Sequence, residues 1–412
     1  MNEAGVEPAA GPGRRPAAVI FIFITVVLDM LALGMVIPVL PILVENFLGG
    51  DTARASEVFG LFATAWAAMQ FLFSPIQGAL SDRFGRRPVI LISNFGLGLD
   101  YVFMALAPSL ALLFIGRVIS GITAASVSTA FAYVADVTPT EKRAASFGLI
   151  GAAFGIGFVL GPALGGLLGA IDPRAPFWVA AVLSLANAVY GFFVLPESLP
   201  PARRAPFSWR SANPIGSLAL LRSHPELFGL AAVNFLGNVA HAVLPTITVL
   251  YMAYRYGFDE RQVGLTLALV GACSLLVQLG LIRVFVARYG ERAALLLGLV
   301  FGAAGFALYG VATTPAVFLL GVPVMALWGF AGPAAQGLMT RRVGPSEQGR
   351  LQGANASIQG IANLLGPGLF AFMFAYFIGA GRDWHLPGAP FLLAALLLAA
   401  AATLAWRVTR AP

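Results

Sequence analysis

The sequence predicts an all-α integral membrane protein, and two observations carry that prediction. The chain has 412 residues, of which 59% are hydrophobic and only 10% are charged, whereas a soluble domain usually carries about a quarter charged residues. The apolar residues come in long runs, and about 20 such residues cross a hydrocarbon core of roughly 30 Å as a helix. A soluble enzyme of this composition would lack the polar surface that keeps it dissolved, so that class is excluded.

Twelve candidate spans follow one another along the chain. The first six cover 17–44, 57–80, 88–108, 110–135, 143–170 and 176–196, and the second six cover 226–254, 260–287, 291–312, 315–340, 350–378 and 387–407. Residues 1–16 are predicted to be an N-terminal tail, and 197–225 a linker rich in Pro, Arg and Ser between two six-helix bundles, 17–196 and 226–407. The later part of the linker, 209–221, is interpreted either as an amphipathic helix on the membrane surface or as a flexible tether.

The basic residues are distributed unequally between the two sides of these spans. Of the 25 Lys and Arg residues, 19 lie in the tail, the linker and the loops of one side, five lie on the other side, and Arg117 lies inside a span. Positive residues in short loops stay preferentially in the cytoplasm, so both termini and the linker are predicted to be cytoplasmic. The net charge of +7 comes from these loops rather than from one basic face, so nucleic acid is not expected as a partner.

Residues 78–88 are predicted to form a short loop between the second and third spans. Gly78 is expected to let the end of the second span pack closely, Gly85 to allow a tight turn, and Pro88 to suit the first turn of the next helix. The pattern G-x-L-x-D-R-x-G-R-R at 78–87 resembles the signature loop of the major facilitator superfamily. Within that superfamily, the chain looks most like the drug:proton antiporters of the tetracycline-efflux type.

The resemblance implies a gate at the cytoplasmic face. Its candidate residues in this sequence are Gly78, Asp82, Arg83, Gly85, Arg86 and Asp136, the last of which ends the fourth span. A solvated loop pair of little energy is the alternative interpretation for Asp82 and Arg86.

The two halves repeat with a constant offset. Gly148, Gly155, Gly161 and Pro162 recur 205 residues later as Gly353, Gly360, Gly366 and Pro367, and Arg83-Phe84-Gly85 recurs with the same offset as Arg288-Tyr289-Gly290. Parallel repeats of this kind build major facilitator transporters, whose substrate site lies between the halves near the midplane. Glycines that merely ease helix packing would not need a shared spacing.

Three ionisable residues inside spans are the main candidates for chemistry: Asp29, Asp100 and Arg117. Each costs about 2.5–3.5 kcal/mol at a helix centre, and at about 1.5 Å per residue all three lie roughly 18–20 Å from the cytoplasmic side. Opposite charges at one depth can pair, and a carboxylate whose surroundings change between states can take up and release a proton. We expect them to couple proton movement to a conformational change; a static ion pair that fixes helix register is the alternative.

The same resemblance extends to these spans. Leu28-Asp29 with Gly34 and two later prolines, Leu99-Asp100-Tyr101, and Gly116-Arg117 with Gly121 are similar to the first, third and fourth helices of tetracycline-efflux proteins. The fifth span has Gly157, Gly161, Pro162, Gly165 and Gly166, which is similar to the antiporter motif of drug and metabolite exporters. The resemblance therefore implies export; close helix packing is the simpler interpretation and is compatible with it.

The second half departs from the tetracycline-efflux pattern. The family places a histidine in span eight and an aspartate in span nine, where this chain has Ser274 and Gly302. His241 is a candidate to replace the missing histidine as a proton carrier. The residues expected to line a substrate cavity are Asn234, Asn238, His241, Gln278, Gln336, Asn355 and Gln359, with interhelical hydrogen bonds as the alternative for each.

These features predict a proton-coupled exporter of a small, largely apolar organic compound, tetracycline-like compounds included, in a bacterial inner membrane. The expected partners are the substrate, protons and lipid, with a monomer as the working unit. No phosphate-cradling loop or metal-ligand spacing is found, so no ATP-driven pump, cofactor or metal is expected. An uptake symporter or uncoupled facilitator is the second interpretation, and a non-transporting membrane sensor or enzyme is the third.

Overall fold

The computed structural model describes residues 14–123, 126–139, 143–209, 213–344 and 347–410. Over these ranges the chain is helical and contains no strand. The all-α prediction is therefore confirmed. Tail residues 1–13 and Lys142 lie outside the described residues.

The first half contains eight helices that correspond to six predicted spans. They are α1 (Arg14–Val36), α2 (Leu40–Phe47), α3 (Thr52–Phe84), α4 (Arg86–Leu106), α5 (Leu110–Thr123), α6 (Ser126–Val137), α7 (Arg143–Gly169) and α8 (Ala175–Val194). The first span is divided into α1 and α2 at residues 37–39, where Pro38 lies in the turn and Pro41 follows in the first turn of α2. Neither proline has a backbone N–H that could continue a helical hydrogen-bond pattern. The Asp51 carboxylate begins α3 by accepting the Arg54 backbone N–H at 3.0 Å, a standard N-cap.

The linker and second half contain nine more helices. They are α9 (Ala219–Ser223), α10 (Pro225–His241), α11 (Val243–Tyr256), α12 (Glu260–Leu276), α13 (Ile282–Val311), α14 (Pro315–Ala326), α15 (Ala331–Thr340), α16 (Gln348–Ile378) and α17 (Ala389–Val408). A π-helical turn, Val277–Leu281, joins α12 to α13. A capping box between Asp259 and Gln262, with contacts of 2.7 and 3.0 Å, begins α12.

Ten helical stretches within the described residues are long and apolar enough to cross a membrane. One of them, Glu260–Val311, has 52 residues and turns at Gly290, whose φ of 80° and ψ of 167° are not helical. The helix α5 is apolar but shorter. The count of twelve spans and the cytoplasmic position of both termini stay predictions.

The predicted loop at 78–88 is much shorter in the structure. Helix α3 continues to Phe84, α4 begins at Arg86, and Gly85 alone forms the turn, with φ of 105°. The prediction that Gly78 allows close packing is wrong, because a Cβ there would meet no atom within 4 Å. The prediction for Gly85 is confirmed by its positive φ, which favours glycine.

Residues that share the 205-residue offset make equivalent contacts. Gly161 packs against Gly34 of α1, and Gly366 packs against Ala242 at the start of α11, so each glycine approaches the first span of its own half. Gly166 of α7 packs on Gly264 of α12, and Ala371 of α16, 205 residues after Gly166, packs on Gly60 of α3. The two partner glycines are offset by one residue less, 204. The halves therefore meet along two pseudo-symmetric helix pairs, α7 with α12 and α3 with α16.

The later part of the linker packs on the second half, which neither interpretation of 209–221 predicts. The Ser357 hydroxyl of α16 donates to the backbone oxygen of Pro214, and Leu220 of α9 is fully buried. Residues 210–212 of the linker lie outside the described residues. The division of the chain into tail, bundles and linker at the predicted boundaries stays a prediction.

Candidate functional site

Asp29 of α1 is buried inside the helix bundle rather than facing lipid. Its side chain is only 7% exposed, and its Oδ1 accepts a hydrogen bond from Asn187 Nδ2 of α8 at 2.9 Å. The same Nδ2 donates to the backbone oxygen of Thr25 at 2.9 Å. The fully buried Asn187 therefore fixes the Asp29 carboxylate relative to two helices, and sequence reasoning missed it.

Asp100 of α4 lies deeper still, at 2% exposure, and neither of its carboxylate oxygens has a hydrogen-bond partner among the described residues. Gly116 of α5 allows this placement, since a Cβ there would stand 3.3 Å from Asp100 Oδ1. A larger residue at position 116 would overlap Met104, whose Cγ lies 2.6 Å from the added Cβ, and would also crowd the carboxylate.

Arg117 does not form the direct ion pair with Asp100 that equal depth allowed us to expect. Within the described ranges no carboxylate lies within 4.0 Å of its guanidinium, which instead lies over the Trp66 ring at 5.3 Å from the centroid. Asp29, Asp100 and Arg117 nevertheless lie in one electrostatic neighbourhood, because all three charges act on the buried side chain of Tyr101. The structure thus brings the three predicted residues together, but Arg117 and Asp100 are not in contact.

A second group of charges forms around Arg86, at the turn between α3 and α4. Its Nη1 lies 2.5 Å from Asp82 Oδ1 and its Nε 3.1 Å from Asp136 Oδ2. Nη1 also donates to the Ser81 hydroxyl at 2.6 Å. The Arg86 side chain is only 12% exposed, whereas that of Asp82 is 50% exposed, so the arginine is more enclosed than in a solvated loop pair.

Glu197, which sequence reasoning also missed, holds the start of α4. Its Oε1 accepts the backbone N–H groups of Arg86 at 2.9 Å and Leu199 at 3.0 Å, and a carboxylate at a helix N-terminus is favoured by the helix dipole. A Cβ on Gly85 would overlap this carboxylate, with the Glu197 Cδ only 2.8 Å away. The only sequence signal for Glu197 is a carboxylate that directly follows the sixth span.

The glycines of the antiporter-like pattern form the contact between α7 and α1. Gly157 packs on Met30, Gly161 on Gly34 and Gly165 on Met35, with each added Cβ falling under 3.0 Å from backbone atoms. Because Met30 directly follows Asp29, this contact places the buried carboxylate next to α7. Gly166 faces the other way, toward Gly264 of α12.

The family model of the Major Facilitator Superfamily matches residues 22–367 and 230–412. The chain belongs to the major facilitator superfamily. The class C tetracycline resistance protein of Escherichia coli is 37% identical over 378 residues, covering 91% of this chain and 95% of that protein. The class D tetracycline resistance protein of Salmonella ordonez is 35% identical over 358 residues, covering 87% and 89%.

Solved structures agree with the family. The human organic anion transporter MFSD10 (TETRAN) matches with a TM-score of 0.71 and 27% identity, over 96% of this chain and 100% of that chain. The nucleoside transporter NupG matches with a TM-score of 0.74 and 16% identity, over 96% and 100%, and this likeness shows the fold alone. This major facilitator protein is a multi-pass membrane transporter of the drug antiporter type and is not an enzyme.

The amides predicted to line a cavity divide into two sets. Asn355 of α16 donates to Gln336 of α15 at 2.8 Å and accepts from Asn234 of α10 at 3.4 Å, so these three make the interhelical hydrogen bonds named as the alternative. Asn238 donates to the Asn234 backbone oxygen at 2.8 Å. The side chains with exposed surface are His241, Gln278 and Gln359.

An aromatic ring packs against Gly302, the position at which the resembled family has its ninth-span aspartate. A Cβ on Gly302 would lie 2.8 Å from the Trp328 ring, and the His241 ring centroid lies 5.7 Å from that of Trp328. A carboxylate at 302 would therefore meet indole. Among the described residues, no group of three or more His, Cys, Asp or Glu side chains is placed to hold a metal ion.

Proposed function

We propose that this major facilitator protein exports a small, largely apolar organic compound, tetracycline-like compounds included, across a bacterial inner membrane in exchange for protons. The observation that carries the proposal is the pair of buried carboxylates, Asp29 and Asp100, of which Asp29 directly precedes the glycine contact of α1 with α7. The similarity to tetracycline resistance proteins over about nine-tenths of the chain supports a drug as substrate. The working unit is a monomer.

Proton coupling is assigned to Asp29, Asp100 and Arg117. In this structure Arg117 stacks on Trp66, and Asp100 has no hydrogen-bond donor among the described side chains. A charged carboxylate in this environment needs either a proton or a cation, because a buried unpaired charge is strongly disfavoured. Proton entry, worth about 2.3 kcal/mol per 100 mV, and movement of Arg117 toward Asp100 are thus alternative ways to neutralise the same carboxylate.

Gating is assigned to the Arg86 cluster. Arg86 contacts Asp82 of α3 and Asp136 of α6, while Glu197 at the end of the sixth span accepts the Arg86 backbone N–H. The cluster therefore links three spans and the linker at the side predicted to be cytoplasmic. Asp82, half exposed, is the member available to bind another group when the cytoplasmic side closes.

Substrate contact is assigned to the second half, where polar but uncharged groups are exposed. His241, Gln278 and Gln359 present these groups, and amides suit many organic molecules. Because Ser274 and Gly302 replace the ionisable residues of the resembled family, proton exchange is assigned to the first half alone.

The test is transport in proteoliposomes with an imposed pH gradient and tetracycline as the probe. We expect Asp29→Asn and Asp100→Asn each to lower gradient-driven accumulation at least tenfold while gradient-independent counterflow continues, because the substrate path is intact and the proton site is not. Asp172→Asn, at the surface turn before α8, is the matched control and retains accumulation. Two outcomes contradict the antiport proposal. One is gradient-driven transport that persists in Asp29→Asn, and the other is movement of the substrate in the same direction as the protons.

A further inference from the structure

A lipid-facing groove lies between α4 and α8, outside the transport path described above. It has a volume of about 350 Å³. Most of its side chains are apolar and strongly exposed, and its principal lining residues are Leu91, Ile92 and Phe95 of α4 with Val189, Phe192 and Phe193 of α8. Because these residues lie within spans, the surface they expose faces hydrocarbon, and an acyl chain is the apolar ligand that the bilayer supplies.

One end of this groove carries a cation. The Arg87 guanidinium lies over the Phe192 ring at 5.6 Å from the centroid and donates through Nη2 to the Phe192 backbone oxygen at 2.5 Å. Arg86 at the same turn and Arg204 of the linker, whose guanidinium lies near Gly85, both contact carboxylates. Arg87 has no carboxylate within 4.0 Å among the residues that the structure describes.

The length of the groove suits the part of one acyl chain that lies nearest the headgroup. Arg87 and Phe95 are eight residues apart on α4, which corresponds to about 12 Å along the helix axis. The arginine end belongs to the side predicted to be cytoplasmic, where anionic headgroups attract basic residues. A guanidinium binds phosphate oxygens in a planar, directional geometry.

We propose that this groove is a binding site for an anionic glycerophospholipid, with one acyl chain between α4 and α8 and the phosphate at Arg87. The site joins the lipid to the turn at Arg86, whose backbone N–H is bound by Glu197, since Arg87 directly follows Arg86. The proposal does not depend on the identity of the exported compound or on proton coupling.

The test is native mass spectrometry of the full-length protein in a mild detergent, titrated with phosphatidylglycerol or with phosphatidylcholine of the same acyl chains. We expect phosphatidylglycerol to bind at least fivefold more tightly. Arg87→Gln removes that preference and leaves phosphatidylcholine binding unchanged, whereas Val189→Trp fills the groove and weakens both lipids. Inorganic phosphate at millimolar concentration does not displace the bound lipid, because the acyl chain supplies part of the affinity.

Two matched variants control for charge and for bulk. Arg54→Gln removes one positive charge at the opposite end of the spans, and Val182→Trp adds the same side chain two helical turns before Val189, where exposure is similar at 64% against 58%. Both variants keep the parent's binding of each lipid. Equal binding of the two lipids by the parent protein, or an unchanged preference in Arg87→Gln, overturns the proposal; Val189→Trp tests it independently if Arg87→Gln does not fold.

Discussion

At the scale of single residues, Asn187 is the contact that should control Asp29. Its amide donates to the Asp29 carboxylate and to Thr25 of the same helix, both at 2.9 Å. We expect Asn187→Ala to lower gradient-driven transport about tenfold, because a buried carboxylate without its donor is no longer held in place between α1 and α8. The measurement is accumulation in proteoliposomes with an imposed pH gradient, compared with gradient-independent counterflow by the same variant.

Asn46→Ala is the control for this prediction, because Asn46 is an exposed amide at the end of α2. It should retain both the accumulation and the counterflow of the parent protein. A purely structural role for Asn187 would lower the amount of folded protein and so reduce accumulation and counterflow to the same extent, and that outcome would contradict the positioning role.

The contrast between Asp29 and Asn187 shows what residue patterns can predict. A carboxylate in a run of apolar residues is conspicuous because its burial costs several kcal/mol, and Asp29 and Asp100 were predicted as buried candidates on that basis. A single amide in a span is unremarkable in sequence, since many amides merely join helices. Its partner can be identified only when α8 is placed against α1.

At the scale of elements, the turn at Gly85 and its counterpart at Gly290 offer a matched pair of substitutions. Both glycines have positive φ, 105° and 80°, in a region that other residues reach at a cost of order 1–3 kcal/mol. Only at Gly85 would a Cβ also overlap a carboxylate, that of Glu197; at Gly290 it would meet nothing within 4 Å. We therefore expect Gly85→Ala to lower the melting temperature and the transport rate more than Gly290→Ala does.

The excess effect at Gly85 should depend on Glu197. In a Glu197→Ala background the overlap with the carboxylate is absent. There, Gly85→Ala should lower the melting temperature only as much as Gly290→Ala does in the parent protein. Thermal unfolding in detergent measures all four variants and the parent protein. Equal effects of the two glycine substitutions in the parent background would show that the Glu197 contact has no energetic role.

Hydropathy predicts where the helices lie, but it does not predict how each helix ends. Hydropathy places the spans, and the break in the first span lies at Pro38, which has no backbone N–H to continue the helix. The turn at Gly85 was predicted to be longer because Asp82 and Arg83 are polar, yet both complete the last helical turn of α3. Polar residues at the end of a span are compatible with helix or loop, and only tertiary contacts such as Glu197 with Arg86 decide between them.

At the scale of the whole molecule, the repeat was predictable because it depends on spacing alone. The 205-residue offset that relates Gly161 to Gly366 also relates the contacts of Gly166 and Ala371 across the halves. The cavity-lining set was less predictable, because the direction of a side chain on a membrane helix is set by its neighbours. Asn234, Gln336 and Asn355 therefore bond to one another, although the same pattern also suited a cavity.

The packed contact of α7 with α12 should have to open during transport, and a disulfide can test this. A Cβ on Gly169 would lie 3.5 Å from the Glu260 Cβ across the two halves, at the short end of the range for disulfides. In a Cys273→Ser background, which removes the only native thiol, Gly169→Cys with Glu260→Cys should form this bond. Oxidation should then stop transport and reduction should restore it, whereas each single-cysteine variant should transport under both conditions.

Transport that continues after the disulfide has formed would contradict this prediction. It would show that α7 and α12 stay in contact at this point throughout the transport cycle.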